Sequence, residues 1–387
     1  MSPFAANPIR VMRIIARMNV GGPAVQVSGL MRGFNSTEFD HRLYTGYCAS
    51  DEADYLDTVA TDVSAVRIQG FGRRVSLGGD IKAFITLVKE IRTFKPHVIH
   101  THTAKAGFLG RIASIVSLQR SIRVHTFHGH LLNGYFGSFK RSLVVIAEKS
   151  LALFTDELLA VGDKVRQDLL SAGIGSKNKF GLMPPGLGIG SLSPKEDSQK
   201  VLGLPSGRLQ CAFIGRVTQI KRPDRFLDVV SEIKKRGVEL DFFIAGDGEL
   251  LEMCRERIKK EDLPVTVLGW QSDIERVLSA ADIVVLTSDN EGTPLSLIQA
   301  GMAGLPVVTT NVGSVPEVVL DCVTGIITAL DVEQITDALE KLVTDKGLRA
   351  QYGVTAEEFT LSHFGVKRLV NDHEELYNKL IASRTKS

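Results

Sequence analysis

Cysteine is scarce in this 387-residue chain: the four, Cys48, Cys211, Cys254 and Cys322, lie far apart with no C-x-x-C pair. That spacing argues against a disulfide framework or a zinc site and fits the reduced thiols of a cytosolic protein. An excess of one charge is also missing. The 46 Lys and Arg against 44 Asp and Glu leave a formal net charge of +2, too little to suggest nucleic acid as a partner. Nowhere do eighteen apolar residues follow one another, so no membrane-spanning helix is expected. Met1 to Arg10 lacks the charged and apolar parts of a leader peptide. The expected location is the cytoplasm, with peripheral attachment to the inner face of the cell membrane left open.

What is present is a rhythm. Short apolar runs rich in Val and Ile occur at Val11–Ala16, His97–His100, Arg123–Phe127, Glu157–Val161, Leu209–Ile214, Asp241–Ala245, Asp282–Leu286 and Pro306–Thr309. Stretches of helical period lie between them, among them Asp80–Phe94, Lys105–Leu118, Lys164–Ala172, Arg222–Lys235 and Leu295–Ala303. Continuous apolar runs are the mark of strands buried on both faces, and their alternation with helices predicts βαβ crossovers in parallel sheets. The rhythm breaks after Met183-Pro184-Pro185-Gly186 and resumes at Leu209. We therefore expect two doubly wound α/β domains, 1–185 and 207–363, joined by a linker at 186–206, with a closing helix within 364–387 packed back on the first. Ligands of such sheets bind beyond the carboxyl ends of the strands, and a cleft between the domains is the expected place.

Three loops carry candidate chemistry. Asn19-Val20-Gly21-Gly22-Pro23 joins a strand to a helix; its glycines let backbone approach a ligand, and the helix start offers free N–H groups to an anion. A tight turn with no ligand is the plainer reading. In Gly215-Arg216-Val217-Thr218-Gln219-Ile220-Lys221, a guanidinium and an ammonium stand at the two ends of one short strand–helix loop, a pairing that suits a diphosphate. Two solvated surface charges are the competing reading. In Asn290-Glu291-Gly292-Thr293-Pro294-Leu295-Ser296-Leu297-Ile298-Gln299, Glu291 can meet sugar hydroxyls while the following N–H groups face a leaving diphosphate, and Pro294 suits a first helical turn. Gln299, a little over two turns on, stays near the same side.

In this last stretch the chain resembles the E-x7-E region of glycosyltransferase family 4, the retaining GT-B enzymes. His100-Thr101-His102-Thr103-Ala104-Lys105-Ala106-Gly107, His125-Thr126-Phe127-His128-Gly129-His130, Pro184-Pro185-Gly186, Gly246-Asp247-Gly248, Gly269-Trp270 and Ala281 to Ser288 are similar to family segments in order and spacing, over nearly the whole chain. The resemblance implies a GT-B fold with an acceptor-binding first domain and a nucleotide-sugar-binding second domain. Gly21 and Gly22 would border the donor diphosphate, and Arg216 and Lys221 beside Gly215 would neutralise it. Glu291 would hold the sugar, the loop of Gly292, Thr293, Pro294, Leu295 and Ser296 would supply backbone N–H groups from its non-proline residues, and Gly269 and Trp270 would frame the base. His128 would stand at the reacting face of the sugar. His102, Lys105, Arg73 and Arg74 are candidates on the acceptor side.

Two positions depart from the pattern. Gln299 replaces the usual second Glu, a ribose ligand, and Gly188 stands where an acidic residue is common. An amide still accepts a hydrogen bond, but loss of a charge-assisted bond costs about 1–2 kcal/mol of donor affinity. The resemblance implies retaining transfer with neither cofactor nor metal. The nucleotide-diphosphate sugar, by preference a UDP-sugar, would act as co-substrate, and a hexose or N-acetylhexosamine would pass to a glycan or lipid-linked acceptor. Phe136, Phe139, Lys140, Arg141, Leu143, Val144 and Lys149 could form a basic amphipathic face toward an anionic membrane, or simply a solvated helix. Two alternatives remain: a nucleotide-sugar 2-epimerase of GT-B shape, and a non-catalytic partner subunit in which Gln299 marks decay.

Overall fold

The apolar runs become the middle of two parallel sheets. The computed structural model describes residues 8–129 and 138–385, except for the side chains at 138–141 and 385. The chain divides into two units. One runs to Leu187 and resumes at Val366, and the other spans Gly188–Gly365.

The first unit alternates β1 (Ile9–Ile15), α1 (Gly22–Gly33), β2 (Phe39–Thr45), α2 (Tyr55–Thr58), β3 (Ala65–Arg67), α3 (Leu77–Phe94), β4 (Val98–His102), α4 (Ala104–Val116), β5 (Ile122–Phe127), α5 (Ser138–Leu153), β6 (Glu157–Ala160), α6 (Asp163–Ser171) and β7 (Phe180–Leu182). Its seven strands lie in the order β3-β2-β1-β4-β5-β6-β7, all parallel. The second unit contains α7 (Lys195–Leu202), β8 (Leu209–Ile214), α8 (Pro223–Lys235), β9 (Leu240–Ala245), α9 (Leu251–Glu261), β10 (Val265–Gly269), α10 (Ile274–Ala280), β11 (Ile283–Leu286), α11 (Leu295–Met302), β12 (Val307–Thr310), α12 (Val315–Val318), β13 (Gly325–Thr328), α13 (Val332–Thr344) and α14 (Lys346–Phe364). Its six parallel strands run β10-β9-β8-β11-β12-β13.

Helix α15 (Val366–Thr385) belongs to the first unit. Its Leu369, Val370, Tyr377 and Ile381 share a core with Ile9, Val11, Leu30 and Phe39. Arg368 fastens its start by donating to the carbonyls of Pro184 and Pro185. The segment 186–206, expected as a linker, instead carries α7. Its polar surface pattern hides a docked helix: Lys195 pairs with both oxygens of Asp282 and Gln199 donates to the carbonyl of Ala280.

Each sheet reverses its strand order once, between β1 and β4 and between β8 and β11. At such a switch point the loops leaving two neighbouring strands turn to opposite faces, and the crevice they open beyond the carboxyl ends is where ligands bind. Both loops singled out in the second half of the sequence start there.

Candidate functional site

In the second unit the loop after β8 and the loop after β11 are fastened side by side. The amide of Asp289 donates to the carbonyl of Ile220, and the Thr287 hydroxyl reaches the carbonyls of Lys221 and Arg222. Arg222 and Arg225 both bind the Asp289 carboxylate. On this frame the Lys221 ammonium lies 2.5 Å from Oε1 of Glu291, and the Ser288 hydroxyl donates to the same oxygen at 2.5 Å. Glu291 is 8% exposed. A carboxylate so nearly buried is tolerable because a cation and a hydroxyl meet it.

Two glycines make this geometry possible. Gly313, on the loop after β12, has φ +54°, and a Cβ there would sit 1.7 Å from the Glu291 carbonyl oxygen. The next residue, Ser314, donates its amide to the carbonyls of Glu291 and Gly292. At Gly246 a Cβ would fall 1.8 Å from the carbonyl oxygen of Gly215. The strand ends are further laced by the amide of Gly215 on Ala245 and that of Gly246 on Gly269.

Helix α11 begins directly after the Glu291 loop. Pro294 is its N-cap rather than a residue of its first turn, and its carbonyl receives the amides of Leu297 and Ile298. No described group accepts the amides of Leu295 and Ser296, which leaves the positive end of the helix open to an anion. Gln299 is half-buried, and its side-chain amide has no described partner. Arg216 is exposed, its carbonyl accepts the amide of Thr218, and its guanidinium has no hydrogen bond or ion pair among the described residues. Gly215, Lys221, Glu291 and Gly292 to Ser296 are thus neighbours on two joined loops. Gly269 ends the edge strand β10 and Trp270 follows it, 44% exposed. Sequence reasoning missed Ser288 and Gly313, whose roles show only once the loops are folded.

In the first unit Gly21 is the N-cap of α1 and accepts the amides of Ala24 and Val25, while Gly22 opens the helix and Pro23 fills its first turn. His128 follows β5 and is partly exposed. Its Nε2 lies 2.8 Å from Nδ1 of His102, and burial pushes its pKa down to about 3. His102, expected on the acceptor side, is wholly buried on β4 with its ring against that of His128. Lys105 pairs with Asp80 and donates to the carbonyl of Arg74, so it anchors the Arg73–Arg74 loop. Arg73 lies near Asp51 and Glu52 while exposed, and Arg74 is exposed. Of the basic amphipathic face, Phe136 and the side chains of Phe139, Lys140 and Arg141 lie outside the described residues. Among the described residues no group of three His, Cys, Asp or Glu side chains is placed to hold a metal ion.

Two parallel-sheet Rossmann-like units, with polar loops at the switch point of the second, define the GT-B class of fold. The chain belongs to the family-4 type of glycosyltransferase: residues 21–186 match the family described as glycosyl transferase 4-like domain, and residues 194–359 match glycosyl transferases group 1. Over 345 residues it is 28% identical to the UDP-Gal:alpha-D-GlcNAc-diphosphoundecaprenol alpha-1,3-galactosyltransferase of Escherichia coli, covering 86% of this chain and 87% of that one. Over 319 residues it is 23% identical to the capsular polysaccharide biosynthesis glycosyltransferase CapM of Staphylococcus aureus, covering 80% and 83%. Its fold matches that of HepE from Anabaena, solved in complex with UDP, with a TM-score of 0.81, 18% identity and coverage of 96% and 100%.

Proposed function

We propose that this glycosyltransferase is a retaining enzyme that needs no metal and moves a hexose or N-acetylhexosamine from a UDP-sugar to a glycan or lipid-linked acceptor in polysaccharide biosynthesis. The observation that carries the reading is the Lys221–Glu291–Ser288 cluster beside the open amides of α11. A sugar diphosphate has two needs that this cluster answers: an acceptor for hydroxyl protons and donors for phosphate oxygens. The Glu291 carboxylate is the group that can accept from sugar hydroxyls. Lys221 keeps two further N–H groups for the diphosphate, and exposed Arg216 adds a guanidinium. The E. coli relative acts on a diphospholipid-linked acceptor by its name, which supports an acceptor of that kind here.

In the proposed step the bond from the anomeric carbon to the diphosphate oxygen breaks, and its electrons leave with UDP. The acceptor oxygen bonds to the same face of that carbon, and its proton passes to the departing phosphate oxygen. Lys221, Arg216 and the α11 amides offset the charge that grows on the diphosphate. Groups aimed in advance at such charge do most of the catalytic work, since they need no reorganisation as it develops. His128 is assigned to the reacting face of the sugar, and Gly21 and Gly22 to the diphosphate. No protein nucleophile is required.

Peripheral attachment to a membrane belongs to the same proposal, with α3 as its support. Leu77, Ile81 and Ile85 recur at one-turn spacing and are 81%, 52% and 61% exposed, with Val75 before them at 89%. Exposed Arg73, Arg74, Lys82 and Lys89 flank this stripe, the pattern of a face that lies on anionic lipid. No described helix is long and apolar enough to cross a membrane.

The test is a thermal-shift panel of UDP-, GDP- and ADP-sugars, since a donor that binds the folded state raises Tm through linkage, followed by UDP release with the responding donor. Glu291→Ala and Lys221→Ala should abolish transfer and keep the fold. Wild-type turnover in either variant, or no response to any nucleotide, overturns the assignment.

A further inference from the structure

A charged side chain at the heart of the first unit has no counter-ion among the described residues. Arg13, on the central strand β1, is wholly buried, and no described carboxylate pairs with it. Its partners are histidines and a tyrosine: Nε donates to Nε2 of His41 at 2.9 Å, Nη1 lies 2.6 Å from Nε2 of His102, and Nη2 donates to the Tyr377 hydroxyl at 2.9 Å. A lone buried charge is expensive, and a hydrophobic residue of similar volume is often neutral or stabilising in its place. A guanidinium kept there is therefore a candidate for a role other than stability.

That role follows from one property: a guanidinium donates hydrogen bonds and never accepts them. Nε2 of His102 must then be bare, so the ring proton sits on Nδ1. That proton faces Nε2 of His128 at 2.8 Å, which must accept it, and the proton of His128 is left on its own Nδ1. Protonating either ring fully would set N–H against N–H. The other branch obeys the same logic. The Tyr377 oxygen accepts from Arg13, so its hydroxyl donates to Nδ1 of His100 at 2.6 Å, and Nε2–H of His100 donates to Thr126 at 2.7 Å. His102 and His100 also stack at 4.4 Å between centroids, which fixes the ring planes.

We propose that Arg13, acting through His102, is a positioning residue that holds His128 as a neutral ring whose Nδ1–H is free to donate to an oxygen of the donor sugar or its diphosphate. The inference rests on the assignment of His128 to the donor. No described residue accepts from Nδ1 of His128, so this N–H is the open end of the chain. Hydrogen bonds in series polarise one another, and the guanidinium charge strengthens the last donor without placing a second cation in the site. Without Arg13, His102 can take either tautomer, and His128 then presents a donor or a bare nitrogen.

Long-range proton–nitrogen correlation NMR on the full-length, uniformly 15N-labelled protein reads the tautomer directly, with the His128 signals assigned by their loss in His128→Gln. The wild type should show a neutral His128 protonated on Nδ1. Arg13→Met removes the donors at similar volume. Should it fail to fold, His102→Phe keeps the ring stack and cuts the chain, while His102→Asn keeps an N–H near the place of Nδ1–H. Arg13→Met and His102→Phe should move His128 toward the Nε2–H form and lower kcat by about 10- to 100-fold, the range seen when the outer partner of a metal-bound histidine is lost, with donor KM unchanged. His102→Asn should restore most of the rate. An Nε2–H tautomer in the wild type, or one unaltered in the variants, overturns the chain itself. An altered tautomer with unchanged kcat overturns its role at the donor. In that case His128→Gln also keeps its rate while Glu291→Ala does not, which separates this failure from failure of the transferase reading.

Discussion

Mild acid should unfold the first unit before the second. His100, His102, His125 and His373 are each at most 1% exposed, and burial holds all four well below the usual histidine range. His102 feels His100 and Arg13 as well, His100 and His373 feel Arg13, and His125 feels Arg111. In the unfolded chain each titrates near 6.5. Below that pH the unfolded state binds more protons than the folded one, so the free energy of unfolding falls as pH falls; the stability is complete above about 6.5 and drains away beneath it. At pH 5 the loss is about 2 kcal/mol per histidine. Four such residues would cost about 8 kcal/mol, as much as the whole stability of many proteins. His128, lowered to about 3, adds to the loss in the same direction. The second unit has one histidine, the exposed His363, and the chain's single tryptophan, Trp270. Urea melts between pH 8 and 4.5 followed by circular dichroism, with Trp270 fluorescence for the second unit and hydrogen exchange for each, should show the first unit opening near pH 5 while Trp270 scarcely responds. A melting profile flat from pH 7.5 to 5, or a second unit that yields first, would refute the argument.

Other perturbations address single contacts. In Gly313→Ala the new methyl must move from 1.7 Å to beyond about 3 Å from the Glu291 carbonyl, so the loop shifts by more than about 1 Å, and misplacement on that scale costs about 100-fold in rate; unchanged kcat/KM would show that the loop does not position Glu291. Gln299→Glu should lower donor KM by about 10-fold, since a charge-assisted bond adds about 1–2 kcal/mol; an unchanged KM would show that position 299 does not meet the ribose. Leu77→Glu with Ile81→Glu should reduce sedimentation with vesicles containing anionic phospholipid and leave Tm unchanged, because both side chains are exposed; equal sedimentation would remove α3 from the membrane proposal.

The sequence disclosed the central strands and left the margins silent, for a physical reason. Strands β1, β4, β5, β8, β9, β11 and β12 are buried on both faces, so they read as apolar runs. β3, β7, β10 and β13 are edge strands, with one face or one end in water and no such run to find. β2 is the instructive failure. It pairs with β1 over its whole length, yet Asp40, His41 and Arg42 interrupt its pattern, and His41 is there because it receives Arg13. Helix α7 stayed hidden because it docks through polar contacts with Asp282 and Ala280 rather than through an apolar stripe.

The same contrast separates the two candidate sites. Lys221 and Glu291 are legible because each stands in a short loop after an apolar run, where a charged residue draws notice, although their pairing with each other and with Ser288 shows only in the fold. Arg13 was visible in the run Ile9-Arg10-Val11-Met12-Arg13-Ile14-Ile15 as a charge where a central strand should have none, but its meaning depends on His102, 89 positions on, and Tyr377, 364 positions on. No local period joins such residues; only the parallel pairing of β1 with β4 and the return of α15 do. A donor-only side chain at that junction then fixes every proton in a line of aromatic rings. A charged residue in the middle of a central parallel strand is therefore worth reading as a question about what the sheet brings beside it, and in this chain the side chains that answer are His102 and, beyond it, His128.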